Sequence, residues 1–535
     1  MAGESWDILH RPGAPDQHWS TDNVGEAAPG VLSPLSWSMW GATGDRMPRE
    51  VAFLMGMFSA RDRRDFPLIV RPFHGRIAIR MEYLASIGDR MPGTSGPDVV
   101  ANMFGRVPET MAFAPTRRRY PVIAYKLPRS VLIAPGRVRR RAPEIDAWWR
   151  ASIARLPSLD AGACVELLRD AVRRFDDSLT WHSLALLAAV QPTLVALTKL
   201  VERAGVGDVG ALSGTGGAEM AIVTDLWQAS RGAGTVDQVV ANHGFHGPLE
   251  GEASSHVWRE DPAPVTRMIA EYAERPDSDS PVLREQRARE RLPDLRRQVL
   301  AALPPAQRPA ARLLLRYAER TIPLRGVGKR SFLQSLDVAR GAVRRLGEHL
   351  AADGRLDAPD DAFQLTVAEL ADGPPGDARE LVTRRRDRGR EYAALRLPGN
   401  WQGVPATTPA GGAGGSDDAD EETVHGIGVS AGVAEGLVRV VHDPSFTDVE
   451  PGEVLVTPTT DPSWAAIMFL SGALVVDIGG QLSHAAVVAR ELGIPCVVNT
   501  RTGSHRLRTG DRVRVDGTAG TVELLKRAPS EGTAP

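Results

Sequence analysis

Residues 473–499 read ALVVDIGGQLSHAAVVARELGIPCVVN. The run 473–477 is short and apolar, which predicts a buried strand. Gly479 and Gly480 break it. Ser483 is a capping residue ahead of a helix that begins at His484, and Gly493 with Pro495 behind it ends that helix. Cys496, Val497 and Val498 make the next buried strand. The order is strand, glycine turn, helix, strand, the unit from which a compact α/β domain is built.

His484 falls in the first turn of that helix, where backbone N–H groups lack partners and the helix dipole is positive, so an anion is favoured there. The two glycines let backbone come close to a ligand. Histidine is largely neutral near pH 7 and therefore nucleophilic. An imidazole so placed can take a phosphoryl group, with Ser483 and the backbone at Gly479 and Gly480 around its oxygens. A histidine at a helix start is also commonly a cap or a surface residue, and spacing alone leaves both readings open.

The wording from Gly479 to Pro495 resembles the swivelling phosphohistidine domain of the phosphoenolpyruvate-utilising enzymes, among them phosphoenolpyruvate synthase, pyruvate phosphate dikinase and rifampicin phosphotransferase. His484 stands on that family's phosphorylated histidine. Thr460-Asp461-Pro462-Ser463-Trp464 and Gly428-Val429-Ser430-Ala431-Gly432 match further segments of the domain, and the match adds Thr460 to the phosphate-binding candidates. Two positions depart from the family: Asn499 replaces a glycine, and Ser504 is all that 500–509 keep of an Ala-Thr pair.

The chain has 535 residues, enough for two to four domains, and a net charge of -2, so no global field favours nucleic acid or an anionic membrane. Its two cysteines, Cys164 and Cys496, exclude a disulfide framework and a cysteine-rich zinc site. They fit a reducing cytoplasm, and the N-terminus lacks the basic start and apolar core of a secretory signal. The most apolar stretch, 183–201, contains Gln191, Pro192 and Lys199 and reads as a kinked, buried helix, not a membrane span.

Residues 19–40 are broken by two proline turns, with a helix starting near Pro34. They resemble the opening of the substrate-binding domain of rifampicin phosphotransferase-like proteins, through Asn23-Val24-Gly25-Glu26 and Pro29-Gly30. Trp37 and Trp40 either line an apolar substrate pocket or pack a core. Alternation over Phe73–Arg80 predicts a strand pair. From 143 to 398 the periodicity is helical, at 144–156, 162–175, 180–203 and 217–230. Ser213–Gly217 and Gly326–Ser331 both fail as phosphate loops, the second because Arg330 follows Lys329 where Ser or Thr belongs. Arg308, Arg312, Arg316 and Arg320 line one helix face, solvated or a docking surface.

The loop 243–262 holds His243, His246, His256, Glu250 and Glu252 between glycines and prolines. Its spacing matches no standard metal-ligand set. It resembles a loop of the same substrate domain, which makes His246 and Glu250 candidates for substrate contact or proton transfer; a salt-bridged connector is the alternative. Arg325 is a substrate-binding candidate, although the family's Arg-Glu pair is Arg325-Gly326 here.

The expected architecture is multidomain: a largely α-helical substrate-binding domain over 1–400, irregular and β-containing to 140, then a linker over 401–423, a compact α/β swivelling phosphohistidine domain over 424–527, and a tail over 528–535. As a random coil the glycine-rich linker spans roughly 25 Å, and stretched about 70 Å. Residue 19 already resembles the substrate domain, so the resemblance omits the family's ATP-grasp domain. It implies a phosphotransferase component at which a separate ATP-grasp partner, using ATP and Mg²⁺, loads His484. The phosphoryl group then passes to a hydroxyl of a small molecule. The alternatives are a dehydratase or lyase on the same fold, and a non-catalytic binding protein. No nucleic acid, membrane or resident metal is expected.

Overall fold

A computed structural model describes the chain apart from residues 1–5, 22–23, 105–106, 207–211, 213–217, 410–422, 443–448, 451, 461–463, 481–482 and 529–535. Asn23, Asp461–Ser463, Ser213–Gly217, most of the expected linker and the tail therefore lie outside the described residues. The chain forms two units. Unit 1 is Met1–Pro192, Gly251–Ser255 and Leu324–Ala413; unit 2 is Thr193–Glu250, His256–Pro323 and Gly414–Pro535. The segments 193–250 and 256–323, expected within one helical domain, thus go with the C-terminal domain.

Five helices position the candidate residues: α1 (Pro34–Leu54), α2 (Ala161–Ala185), α3 (Ala218–Ser230), α4 (Leu324–Ala352) and α5 (His484–Leu492). In unit 1, α2 and α4 pack along their lengths, and Phe175 and Phe332 are buried between them. A π-turn over Leu186–Val190 follows α2, just ahead of Pro192, which has no N–H to give to a preceding carbonyl. Four strands, β1 (His18–Ser20), β2 (Val70–Phe73), β3 (Arg76–Arg80) and β4 (Asn400–Gln402), form a sheet in the order β2-β3-β1-β4. Trp401 and Gln402 were expected in the linker; instead they are strand residues, paired with Trp19 and His18.

Unit 2 is built on an eight-stranded sheet. Its strands are β5 (Thr423–His425), β6 (Ile427–Ser430), β7 (Val433–Val440), β8 (Val454–Thr457), β9 (Ala473–Val476), β10 (Cys496–Val498), β11 (Arg512–Asp516) and β12 (Thr521–Lys526), in the order β5-β12-β11-β7-β8-β9-β10-β6. Strands β7 to β10 are parallel and the flanking pairs antiparallel. The period-two alternation sends Leu455, Leu474, Val476 and Cys496 to one face and Val454, Val456, Ala473 and Val475 to the other. The first face is covered by α5 and the helix Ala465–Leu470, and the same core takes in Ile222, Leu226 and Trp227 of α3 together with Trp258 and Tyr272. Unit 2 is therefore helical as well as α/β.

Among the described residues, Ala161–Ala204 is the one helical stretch long and apolar enough to cross a membrane; 44% of its most apolar window is buried.

Asn499 has a φ of 59°. This is left-handed backbone, which glycine adopts freely and asparagine tolerates, so the one departure from glycine keeps the turn. Asn499→Ala is expected to cost about 1–2 kcal/mol and Asn499→Gly to be near neutral, read from urea unfolding.

Candidate functional site

The helix α5 begins as the sequence implies. Ser483 has extended backbone (φ -63°, ψ 165°) and its Oγ accepts from the Ala486 N–H at 3.4 Å. Gly493, with φ 68°, stops the helix, and the Arg490 guanidinium fastens it by donating from Nε to the Val429 carbonyl at 2.6 Å. Arg490 thus serves the helix rather than a ligand.

His484 is 5% exposed, and its Nδ1 lies 3.2 Å from Thr460 Oγ1. When Nδ1–H is the donor, the imidazole carries its lone pair on Nε2, the form a nucleophile needs. Thr459, one residue earlier, has a buried hydroxyl without a hydrogen-bond partner, a donor that sequence reasoning did not single out. The two glycines differ in what they do. A Cβ at Gly479 would come within 2.9 Å of Ser483 Oγ, so this glycine makes room for the cap; at Gly480 a Cβ would meet nothing within 4 Å. Behind them, buried Asp477 accepts from Thr500 Oγ1 at 2.8 Å and from the Ser504 N–H at 3.1 Å, and also from the Ser504 hydroxyl. These bonds tie the 500–504 turn to the end of β9, and they account for the retained serine.

The loop 243–250 supplies a second constellation in the same unit. His246 Nδ1 is bonded to Glu250 Oε1, and both side chains are buried. His243 Nε2 is bonded to Asp225 Oδ2 at 2.9 Å, and Asp225 also accepts from Asn242 Nδ2 at 3.0 Å. The two imidazoles are stacked with centroids 6.2 Å apart, and Phe245 and Trp258 flank His246 at 4.1 and 5.6 Å. Two carboxylate–imidazole pairs side by side can hold or pass a proton. Asp225 was not foreseen: it is an acid on a mostly apolar helix, well separated in sequence from its histidine.

The other candidates lie in unit 1. Trp40 is a core residue, edge-on to Phe175 and Phe332 and donating its Nε1–H to the Gly251 carbonyl at 2.8 Å. Trp37 is half-buried and lies flat against Gly41, where a Cβ would meet its ring at 2.8 Å. Arg325 is half-buried on α4. Glu252 does not join the histidines: it caps α1, accepting from Ser33 Oγ at 2.7 Å, Ser36 Oγ at 2.8 Å and the Ser33 N–H at 2.8 Å. Among the described residues no group of three or more His, Cys, Asp or Glu side chains could hold a metal ion.

Residues 449–520 match the mobile domain of the PEP-utilising enzymes, and residues 218–326 the fourth domain of rifampicin phosphotransferase. An uncharacterized protein of Mycobacterium tuberculosis is 33% identical over 301 residues, 54% of this chain and 31% of the relative. A rifampicin phosphotransferase of a Streptomyces species is 37% identical over 221 residues, 40% of this chain and 25% of the relative. The chondramide synthase of Chondromyces crocatus is 32% identical over 315 residues, 50% of this chain and 8% of the relative. The chain spans about a third or less of the length of these relatives. The first match falls in unit 2, as does the second apart from 251–255 and 324–326, and α3 and α5 share one core there. Through these matches residues 218–326 and 449–520 are similar to domains of rifampicin phosphotransferase and of the phosphoenolpyruvate-utilising enzymes.

Proposed function

We propose that this chain is the carrier and acceptor part of a phosphotransferase, with His484 as the phosphoryl carrier. The observation that carries the reading is His484 itself: an imidazole in the first turn of α5, held at Nδ1 by Thr460, within a matched mobile domain. In loading, His484 attacks a phosphorus of ATP; the P–O bond to the departing nucleotide part breaks, an N–P bond forms, and the imidazole releases its proton. In transfer, a hydroxyl oxygen of a small molecule attacks phosphorus and the N–P bond breaks, returning its electron pair to the imidazole. The hydroxyl proton goes to His246, whose imidazolium Glu250 stabilises. The helix N-terminus, Ser483, Thr460 and the backbone at Gly479 and Gly480 surround the charge on the equatorial oxygens.

ATP and Mg²⁺ would come through an ATP-grasp partner, as the resemblance implies. The reading places the chemistry in the cytoplasm, where ATP is held and buried thiols such as Cys164 and Cys496 stay reduced.

The test is intact-protein mass after incubation with ATP and Mg²⁺, with and without an ATP-grasp partner, quenched in alkali. Acid-labile phosphate on His484 that depends on the partner is the expected result. No phosphate under any condition, with product still formed from the small molecule, would move the chain to an elimination reaction. His246→Ala is expected to leave phosphorylation of His484 intact and to slow transfer to the acceptor by about 10²- to 10⁴-fold, read by single-turnover decay of the phosphoprotein.

A further inference from the structure

On α4, Arg325, Gly328, Lys329 and Phe332 stand at i, i+3, i+4 and i+7, so they share one face. That face meets His182 of α2. A Cβ at Gly328 would lie 2.4 Å from His182 Nδ1, so only glycine leaves room for the imidazole. The His182 ring lies 5.5 Å from Phe332, and Phe332 in turn meets Trp40 and Phe175 edge-on. The sequence Gly326–Ser331, which fails as a phosphate loop, is thus a helix interior shaped around a histidine.

Three observations give this place a ligand. Arg325 Nη1 is sealed from solvent and has no hydrogen-bond partner; a buried charged donor left without an acceptor is more costly than a neutral one. Asp146, a carboxylate that reaches this helix, is taken by Arg330 at 2.8 Å and Gln334 at 2.7 Å. One turn past His182, the helix widens into the π-turn Leu186–Val190, a rare geometry frequent at functional sites. Burial, with the charges of Arg325 and Lys329, lowers the His182 pKa from its ordinary value to about 3. The imidazole is therefore neutral at pH 7, beside two cations.

We propose that this face of unit 1 binds an oxyanion, the phosphate or carboxylate of a small molecule, with Arg325 as its principal ligand, Lys329 adding charge and His182 hydrogen-bonding a neighbouring oxygen. The guanidinium fork suits either planar or tetrahedral oxygens. The inference deepens the reading of Arg325 as a substrate-binding candidate. It needs no phosphoryl transfer to be tested.

The test is isothermal titration calorimetry on the full chain with inorganic phosphate and, separately, with benzoate. At least one anion is expected to bind with one-to-one stoichiometry, and the one that binds identifies phosphate or carboxylate as the preferred group. Arg325→Met should weaken binding about tenfold or more. Arg325→Lys, which keeps the charge and guards against loss of fold, should weaken it less. His484→Ala should bind like the parent, which separates this site from the carrier histidine. Equal affinity in Arg325→Met, loss of binding in His484→Ala, or no binding of either anion would overturn the proposal.

Discussion

His484→Ala is expected to take up no phosphate and to show no transfer, while folding as the parent does. The first half follows from chemistry: a methyl group cannot form an N–P bond, so the loss is complete and not graded. The second half follows from the packing. Helix α5 is capped by Ser483 and closed by Gly493, and it is held to the sheet by Ala485, Ala486, Val488 and Ala489. None of these depends on the imidazole. Alanine is the best helix former, which offsets part of the roughly 1 kcal/mol lost with the Thr460 contact. Intact mass under alkaline quench reads the phosphate, and a circular dichroism melt reads the fold. His484→Gln keeps a polar group near Thr460 without a nucleophile and should behave the same way. Thr460→Val should still be phosphorylated, but more slowly, because the ring loses the partner at Nδ1. Phosphate on His484→Ala at the parent stoichiometry would place the carrier elsewhere and sink the reading.

The sheet around α5 was legible because its strands are local. Residues 473–476 and 496–498 are unbroken apolar runs, and each is a strand. Strands β5 and β6 were not foreseen. They hold glycines at or between them, Gly426 and Gly428, and their pairing is with β12 and β10, far along the chain; a weak pattern stabilised by long-range partners leaves little local trace. The helices from 218 to 273 were legible as helices, but not as companions of the carrier sheet. Amphipathicity says that a face is buried and not what buries it. The same holds for single polar residues. His484 was found because its context is a contiguous motif. Asp225 was missed, and Glu252 was grouped with histidines, because each bonds to residues that sequence order does not bring near.

Arg340→Met is expected to destabilise unit 1 by about 3–5 kcal/mol, the cost of removing one partner of a buried ion pair. Arg340 is 1% exposed and Asp337, one turn before it on α4, is 0% exposed. The guanidinium donates to Asp337 Oδ1 at 3.1 Å, to the Ala253 carbonyl at 3.1 Å and to the Glu252 carbonyl at 3.0 Å. Asp337 Oδ2 accepts from Trp149 Nε1 at 2.8 Å. Methionine keeps the length and the apolar stem but none of these donors. Asp337 would then be a buried carboxylate without its cation, and the two carbonyls would lose their guanidinium donors. The damage should also reach α1, because the Glu252 side chain that caps Ser33 and Ser36 sits on the segment Arg340 holds. The double variant Arg340→Met with Asp337→Asn decides between charge and packing. If the stranded carboxylate is the cause, removing its charge restores a large part of the lost stability, a coupling well outside additivity. If shape is the cause, the second change adds its own loss. Urea unfolding followed by Trp fluorescence measures both, since Trp149 and Trp40 are buried in unit 1. A single-variant loss below about 1 kcal/mol would mean that the pair behaves as a solvated one and that the 252–253 segment is held by other contacts.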